Sequence, residues 1–419
     1  MINRYVVVLL SAVLGCSGEA PPAQVASDPQ ATSPESKPLQ QPVTSVPRLL
    51  TDEELSAGWI SLFDGESLYG WQATSNANWH VADGAIVASD GEGGLLCTKV
   101  QFCDYIFKVE FRSAPGTNSG IFLHTPTHPT DPAVDCYELN IAPLDNPFPT
   151  GSLVKRQKVA GEYESDDWQS LEVKMAGGLV EVSLEGEKIL TYEDDTPLQR
   201  GYIGLQKNEG KIEFRNLKLL PLGRAPLFTG VDLQGWRPAP ADSLSEFTVT
   251  DDETLNVKNG RGHLETVESF GDFVLQLECI SHAKHLNSGI FFRCIPGETM
   301  NGYEAQIQNG FENGDRAQPT DCGTGGIFRR QNARMVAADD QQWFFMTIVA
   351  ASPTINLCVN HLLGTAWSDE RAPHDNPRSG LRLKPGTIQI QGHDPTTNLS
   401  FRNLTIARYR ERSLANSND

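Results

Sequence analysis

The sequence predicts an all-β protein built from two tandem antiparallel sandwiches, and three observations carry that prediction. The 37 Gly and 26 Pro among 419 residues break the chain into short runs, a pattern that suits strands and tight turns better than helices. Where apolar residues are periodic they alternate: Tyr105, Phe107, Val109 and Phe111 oppose Ile106, Lys108 and Glu110, and no long stretch shows a 3.6-residue period. The chain also repeats itself. Its length exceeds one ordinary core and fits two domains of roughly 150–200 residues.

The repeat can be followed element by element. Leu62-Phe63-Asp64-Gly65 and Gly70-Trp71 return as Leu227-Phe228-Thr229-Gly230 and Gly235-Trp236. Asp104–Glu110 returns as Asp272–Glu278, and NSGIF stands at both Asn118–Phe122 and Asn287–Phe291. Tyr137-Glu138-Leu139-Asn140 returns as Tyr303-Glu304-Ala305-Gln306. Thr150-Gly151 followed by Arg156 returns as Thr324-Gly325 followed by Arg330, and Trp168 returns as Trp343. Residues 171–188 read as a hairpin with a Gly-containing turn. Phe214-Arg215-Asn216-Leu217 returns as Phe401-Arg402-Asn403-Leu404. The order never changes, which places homologous domains at 58–223 and 225–410, with a tail at 411–419.

The N-terminal segment reads differently. Tyr5–Leu14 is apolar but about half a membrane span, as in a secretory leader. It ends in Val13-Leu14-Gly15-Cys16, which resembles a bacterial lipoprotein signal with Cys16 as the lipidated residue. Residues 17–57 are read as a disordered tether and lead-in, of which residues 17–48 are Pro-, Ser- and Gln-rich and cannot bury enough surface to order themselves. The expected location is exported and lipid-anchored, on the periplasmic face of the outer membrane or on the cell surface. A net charge of −19 argues against nucleic acid as a partner. Cys279 with Cys294, or Cys97 with Cys103, could pair in an exported compartment; buried free thiols are the alternative.

Strand alternation nominates a polar face. In the second repeat Glu304, Gln306 and Gln308 share one side, and Gln389, Gln391 and His393 share another. In the first repeat Glu138 and Asn140 are matched by Gln206 and Asn208. Carboxylates and amides suit sugar hydroxyls, although a solvated outer sheet face gives the same pattern. Asn118 and Asn287 lie in the turns before these strands. His124 and Arg293 follow them and are candidate groove residues. Arg156 and Arg330 are candidate partners of the two Glu residues. Trp168 and Trp343 are stacking or packing residues. His124, His128, Asp131 and Asp135 form a local cluster without fixed metal-ligand spacing, so a divalent metal stays an open option.

Taken in order, these motifs resemble the 3-keto-disaccharide hydrolase family over residues 58 to about 410. The resemblance implies two concanavalin-like jelly rolls with sugar on a concave face. It also implies cleavage of 3-keto-glycosides: a carboxylate removes the acidified C2 proton, the C1 group is eliminated and water adds. Glu304 and Glu138 would be the bases and Arg330 and Arg156 the charge stabilisers. Asn287, Arg293, Gln306, Gln391 and His393 would bind substrate in the second domain, and Asn118, His124, Asn140 and Gln206 in the first. An oxidoreductase partner making 3-keto sugars is a further expectation. The second domain keeps the family pattern better, with Gly302 before Tyr-Glu and His393 after Gln391, where the first has Cys136 and Asn208. A non-catalytic carbohydrate-binding protein and a conventional glycosidase are the alternatives.

Overall fold

The computed structural model describes residues 42–410. Cys16, the leader, the tether up to residue 41 and the tail from 411 lie outside the described residues. The rest is almost wholly β, arranged as four antiparallel sheets in two sandwich-like halves. The single α-helix among the described residues is Asp52–Ala57, closed at its start by a Thr51–Glu54 capping box and at its end by left-handed Gly58.

Each half pairs an eight-stranded sheet with a five-stranded one. The first half's five-stranded sheet runs Trp71–Ala73, Gly94–Thr98, Tyr202–Lys207, Ser119–Thr125, Tyr137–Ile141. The second runs Trp236–Ala239, Gly262–Thr266, Thr387–Gly392, Ser288–Cys294, Tyr303–Ile307. The strand order is the same, so the repeat in sequence is a repeat in topology. Alternation works as expected in Tyr105–Ser113, where Tyr105, Phe107, Val109 and Phe111 are buried and Ile106, Lys108 and Glu110 are half-buried.

Several repeated motifs are scaffold. Trp71 Nε1 donates to the Leu62 carbonyl at 2.7 Å, and Trp236 Nε1 to the Leu227 carbonyl at 3.0 Å. Arg215 Nε and Asn216 Nδ2 each donate to Glu110 at 2.7 Å, and Arg402 and Asn403 hold Glu278 in the same way. Both Asn residues are left-handed, with φ of 54°, beside a break in strand register, as a β-bulge requires. The same Arg residues lie over Trp168 and Trp343, 3.9 and 4.1 Å from the ring centroids, so these indoles are covered by guanidinium rather than open to a sugar.

NSGIF is a corner, not a hairpin within one sheet. Tyr105–Ser113 and Phe273–Ser281 belong to the eight-stranded sheets, whereas Ser119–Thr125 and Ser288–Cys294 belong to the five-stranded ones. This also separates Cys279 from Cys294; all seven described cysteines are free and buried.

Within the expected disordered lead-in, residues 42–57 make defined contacts with the fold. Val43 N donates to Asp315 Oδ1 at 2.9 Å, Arg316 N donates to the Val43 carbonyl at 2.8 Å, and Leu50 is buried. The halves share a core: Val274, Val349, Ala407 and Tyr409 join the first half's apolar cluster. Arg334 pairs with Asp64 at 2.7 Å, and Arg200 pairs with Asp272.

Candidate functional site

The second five-stranded sheet places polar side chains in two neighbouring rows. Pairing sets His263 opposite Gln391 and Gly289 opposite Gln306; the next row holds Glu265, Gln389, Phe291 and Glu304. The Ser of NSGIF locks this arrangement, because Ser288 Oγ donates to the Gln391 carbonyl at 2.7 Å. Its Gly leaves room for the carboxylate: a Cβ added at Gly289 would lie 3.0 Å from Cγ and Oε1 of Glu304. Glu265 is fully buried and spoken for, accepting from Gly297 N at 2.9 Å and Thr387 Oγ1 at 2.7 Å.

Other groups on this face are not satisfied. Oε1 of Gln306, Gln389 and Gln391 and both ring nitrogens of His263 are buried without a hydrogen-bond partner among the described residues. Orphaned polar atoms are costly and rare in folded proteins. Five of them converging on one sheet face mark a surface that a ligand rich in donors and acceptors would complete. Burial pushes the His263 imidazolium pKa down to about 4, helped by the cation of Arg378, so the ring is neutral near pH 7 and offers one donor and one acceptor.

Glu304 is 4% exposed and receives Arg378 Nη2 on Oε2 at 2.8 Å. Burial raises its pKa, and the Arg378 guanidinium opposes that rise. Arg378 also donates from Nε to the Met300 carbonyl at 2.7 Å, and its own carbonyl accepts Arg330 Nη2 at 2.7 Å. At the rim, His393 Nδ1 lies 2.8 Å from Asp394 Oδ2, a contact that orients the ring and leaves Nε2 available. Gln306 Nε2 donates to Asn287 Oδ1 at 3.0 Å and Asp321 Oδ2 at 3.1 Å. The structure therefore brings Glu304, Gln306, Gln391, His393 and Asn287 to one face.

It does not bring the expected arginines to the carboxylates. Arg378, not Arg330, meets Glu304; Arg330 supports the backbone of Arg378. Arg156 pairs with Asp194 at 3.0 Å and lies over Tyr137, 4.4 Å from the ring centroid. Alternation sends Tyr137 and Glu138 to opposite sides of their strand, so Arg156 sits with the wrong face. Arg293 and His124 also depart from expectation. Each has φ of 49° at a register break, and the bulge turns the side chain inward. Arg293 is 1% exposed and pairs with Asp272 at 2.5 Å. His124 is buried between the carbonyls of Cys103 at 2.6 Å and Leu198 at 2.9 Å.

The first half carries a reduced version of the face. Leu95 pairs with Gln206 where His263 pairs with Gln391, and Cys97 with Gly204 where Glu265 pairs with Gln389. Asn140 Nδ2 is committed to the Phe148 carbonyl, and Asn118 forms a backbone bridge with Glu209. Glu138 remains, 8% exposed, at a cleft of about 440 Å³ that Gln206 also lines. Among the described residues no three His, Cys, Asp or Glu side chains converge as metal ligands. Asp135 instead accepts from Thr130 and Asp131, and His124 is enclosed.

Sequence reading missed His263, Arg378 and Asp321. The alternation of His263 and Glu265 in Gly262–Thr266 was a usable signal. Arg378 had none, since it reaches Glu304 from an irregular segment 74 residues on.

Residues 58–220 and 223–407 each match the family described as 3-keto-alpha-glucoside-1,2-lyase-like. A curated 3-keto-disaccharide hydrolase from Bacteroides thetaiotaomicron is 32% identical over 77 residues, which cover 16% of this chain and 27% of that protein. Among solved structures, a protein of Parabacteroides distasonis described provisionally as a glycosyl hydrolase aligns with a TM-score of 0.38 and 21% identity, over 42% of this chain and 99% of its own. A carbohydrate binding module from Bacillus subtilis aligns with a TM-score of 0.30 and 13% identity, over 36% of this chain and 94% of its own.

Proposed function

The chain belongs to the 3-keto-alpha-glucoside-1,2-lyase-like family, and from that premise we propose that it cleaves 3-keto-glycosides, with the second half as the active centre. One observation carries the assignment of the centre. Buried Glu304 and part-buried Arg378 form an ion pair beside a set of unpartnered amide oxygens and a neutral His263, and among the described residues the first half has no equivalent set.

The geometry suits proton abstraction next to a ketone. The sugar's C3 carbonyl acidifies the C2 proton. Glu304, its basicity raised by burial, takes that proton. The electron pair moves onto the C3 oxygen as an enolate, and the Arg378 guanidinium offsets the developing negative charge. The enolate then expels the group at C1 while His393, whose ring Asp394 orients, passes a proton to the departing oxygen. Water then adds across the resulting C1–C2 double bond: its hydroxide goes to C1, its remaining proton restores His393, and Glu304 returns its proton to C2. The balance is hydrolysis of the glycosidic bond, with no net oxidation. Gln306, Gln389 and Gln391 hold hydroxyls through their free carbonyl oxygens.

The test compares a 3-keto-disaccharide with its unoxidised parent. Release of monosaccharide from the oxidised substrate alone, lost on Glu304→Gln, supports the reading. Cleavage of the parent sugar would favour a conventional glycosidase, and tight glycan binding with no cleavage a non-catalytic binding protein. Export and lipid anchoring at Cys16 belong to the same proposal and are supported by the sequence of residues 1–16. A partner oxidoreductase is required by the chemistry, because the C3 ketone must be made before this step.

A further inference from the structure

Among the described residues, the cleft on the first half has no guanidinium paired with its carboxyl, but it has the features of a binding site. Its volume of about 440 Å³ falls within the range of small-molecule pockets. Leu95, Phe122, Pro129 and Pro132 supply apolar wall, and Glu138 and Gln206 supply polar floor. Glu138 is 8% exposed and has no ion-pair partner among the described residues, while Gln206 Oε1 is buried without any partner. The nearby cations are engaged elsewhere. Lys207 Nζ donates to the Asn208 carbonyl at 2.9 Å, and Lys155 pairs with Asp131 at 3.0 Å. Among the described residues no guanidinium pairs with Glu138 as Arg378 pairs with Glu304, and Asn208 stands where the second half has His393.

From this juxtaposition we propose that the first-half cleft is a second, non-catalytic site that binds an uncharged, unoxidised saccharide. A pyranose presents both surfaces the cleft asks for: a C–H face for the leucine, phenylalanine and proline walls, and hydroxyls for the carboxyl and amides. A buried carboxyl without a cation disfavours an anionic ligand. Burial also pushes Glu138 up to about 7 against the opposing Gln206 amide and Lys155, so near neutral pH the group both donates and accepts hydrogen bonds. The site would hold a parent glycan while the second half works on its oxidised units. The binding claim itself does not depend on 3-keto chemistry.

Calorimetric titration of the full chain carrying Glu304→Gln tests it, with maltose, cellobiose, trehalose and sucrose as probes. At least one should bind with 1:1 stoichiometry. Glu138→Arg, which fills the floor with a charged chain, should weaken that binding at least tenfold. Asn208→Trp at the exposed rim is the check if Glu138→Arg does not fold, and should weaken it comparably. Glu138→Gln, which keeps the hydrogen-bonding shape, should bind within a few-fold of the parent. Three outcomes overturn the proposal: none of the four sugars binds, binding survives both Glu138→Arg and Asn208→Trp, or Glu138→Gln in the wild-type background abolishes turnover of a 3-keto-disaccharide. Turnover that survives Glu304→Gln would sink the assignment of the active centre while leaving the binding result intact.

Discussion

At Glu304, three neighbours set what the carboxylate can do. Burial raises its basicity, Arg378 restrains that rise, and Gly289 leaves Oε1 its space. Arg378→Lys keeps a charge but loses the planar fork, and should lower kcat by about 10²-fold with a smaller change in KM. Arg330→Ala acts through Arg378 by freeing its carbonyl. It should lower kcat less and be partly rescued in Arg330→Lys, which separates positioning from a general loss of fold. Gly289→Ala puts a methyl against Glu304 at 3.0 Å and should reduce turnover while leaving the melting temperature within a few degrees. Glu138 gives a stability signature. Its folded pKa is raised, to about 7, so the folded state binds the proton more tightly than the unfolded chain. Stability from this group is therefore full below about pH 4.5 and lost as pH rises towards 7. Glu138→Gln should match wild type at pH 4 and exceed it by roughly 3 kcal/mol at pH 8, as read by urea denaturation. Equal gaps at both pH values would contradict the assignment.

The elements explain why some motifs recur. Glu110 with Arg215 and Asn216, and Glu278 with Arg402 and Asn403, are the same bulge clamp built twice. Asn403→Ala loses the bond to Glu278 and a residue suited to φ of 54°, and should cost about 1–3 kcal/mol in denaturant unfolding. The strands and the faces of Glu304, Gln306 and Gln391 were legible in the sequence because alternation has a period of two and these strands are regular. Arg293 and His124 were misread because each sits on a bulge, where one extra residue reverses the side. Arg156 was misread because a loop residue's partner is set by which face it lands on; the spacing from Thr-Gly to Arg carries no such information. Arg378 was invisible for the same reason. The two copies of NSGIF recur as a corner whose Ser ties the Gln strand and whose Gly makes space for Glu.

Across the whole molecule, the two halves are one folding problem. Asp272 accepts from Arg293 at 2.5 Å and Ser352 N at 3.1 Å, and also pairs with Arg200 of the first half. Asp272→Asn leaves Arg293, which is 1% exposed, without its counter-charge and should cost about 3–5 kcal/mol. A second half expressed alone would expose Val274, Val349 and Tyr409, which now pack into the first half's core, and is expected to be less stable than the full chain. The shared core joins the two five-stranded faces in one compact unit, one face polar and paired with arginine, the other half apolar. If the polar face performs the chemistry, turnover of a 3-keto-disaccharide by the full chain should respond differently to Glu304→Gln and Glu138→Gln. Glu304→Gln should lose about 10³-fold in kcat, and Glu138→Gln should continue to cleave. Loss of turnover in Glu138→Gln with activity retained in Glu304→Gln would contradict the assignment of the chemistry to the polar face.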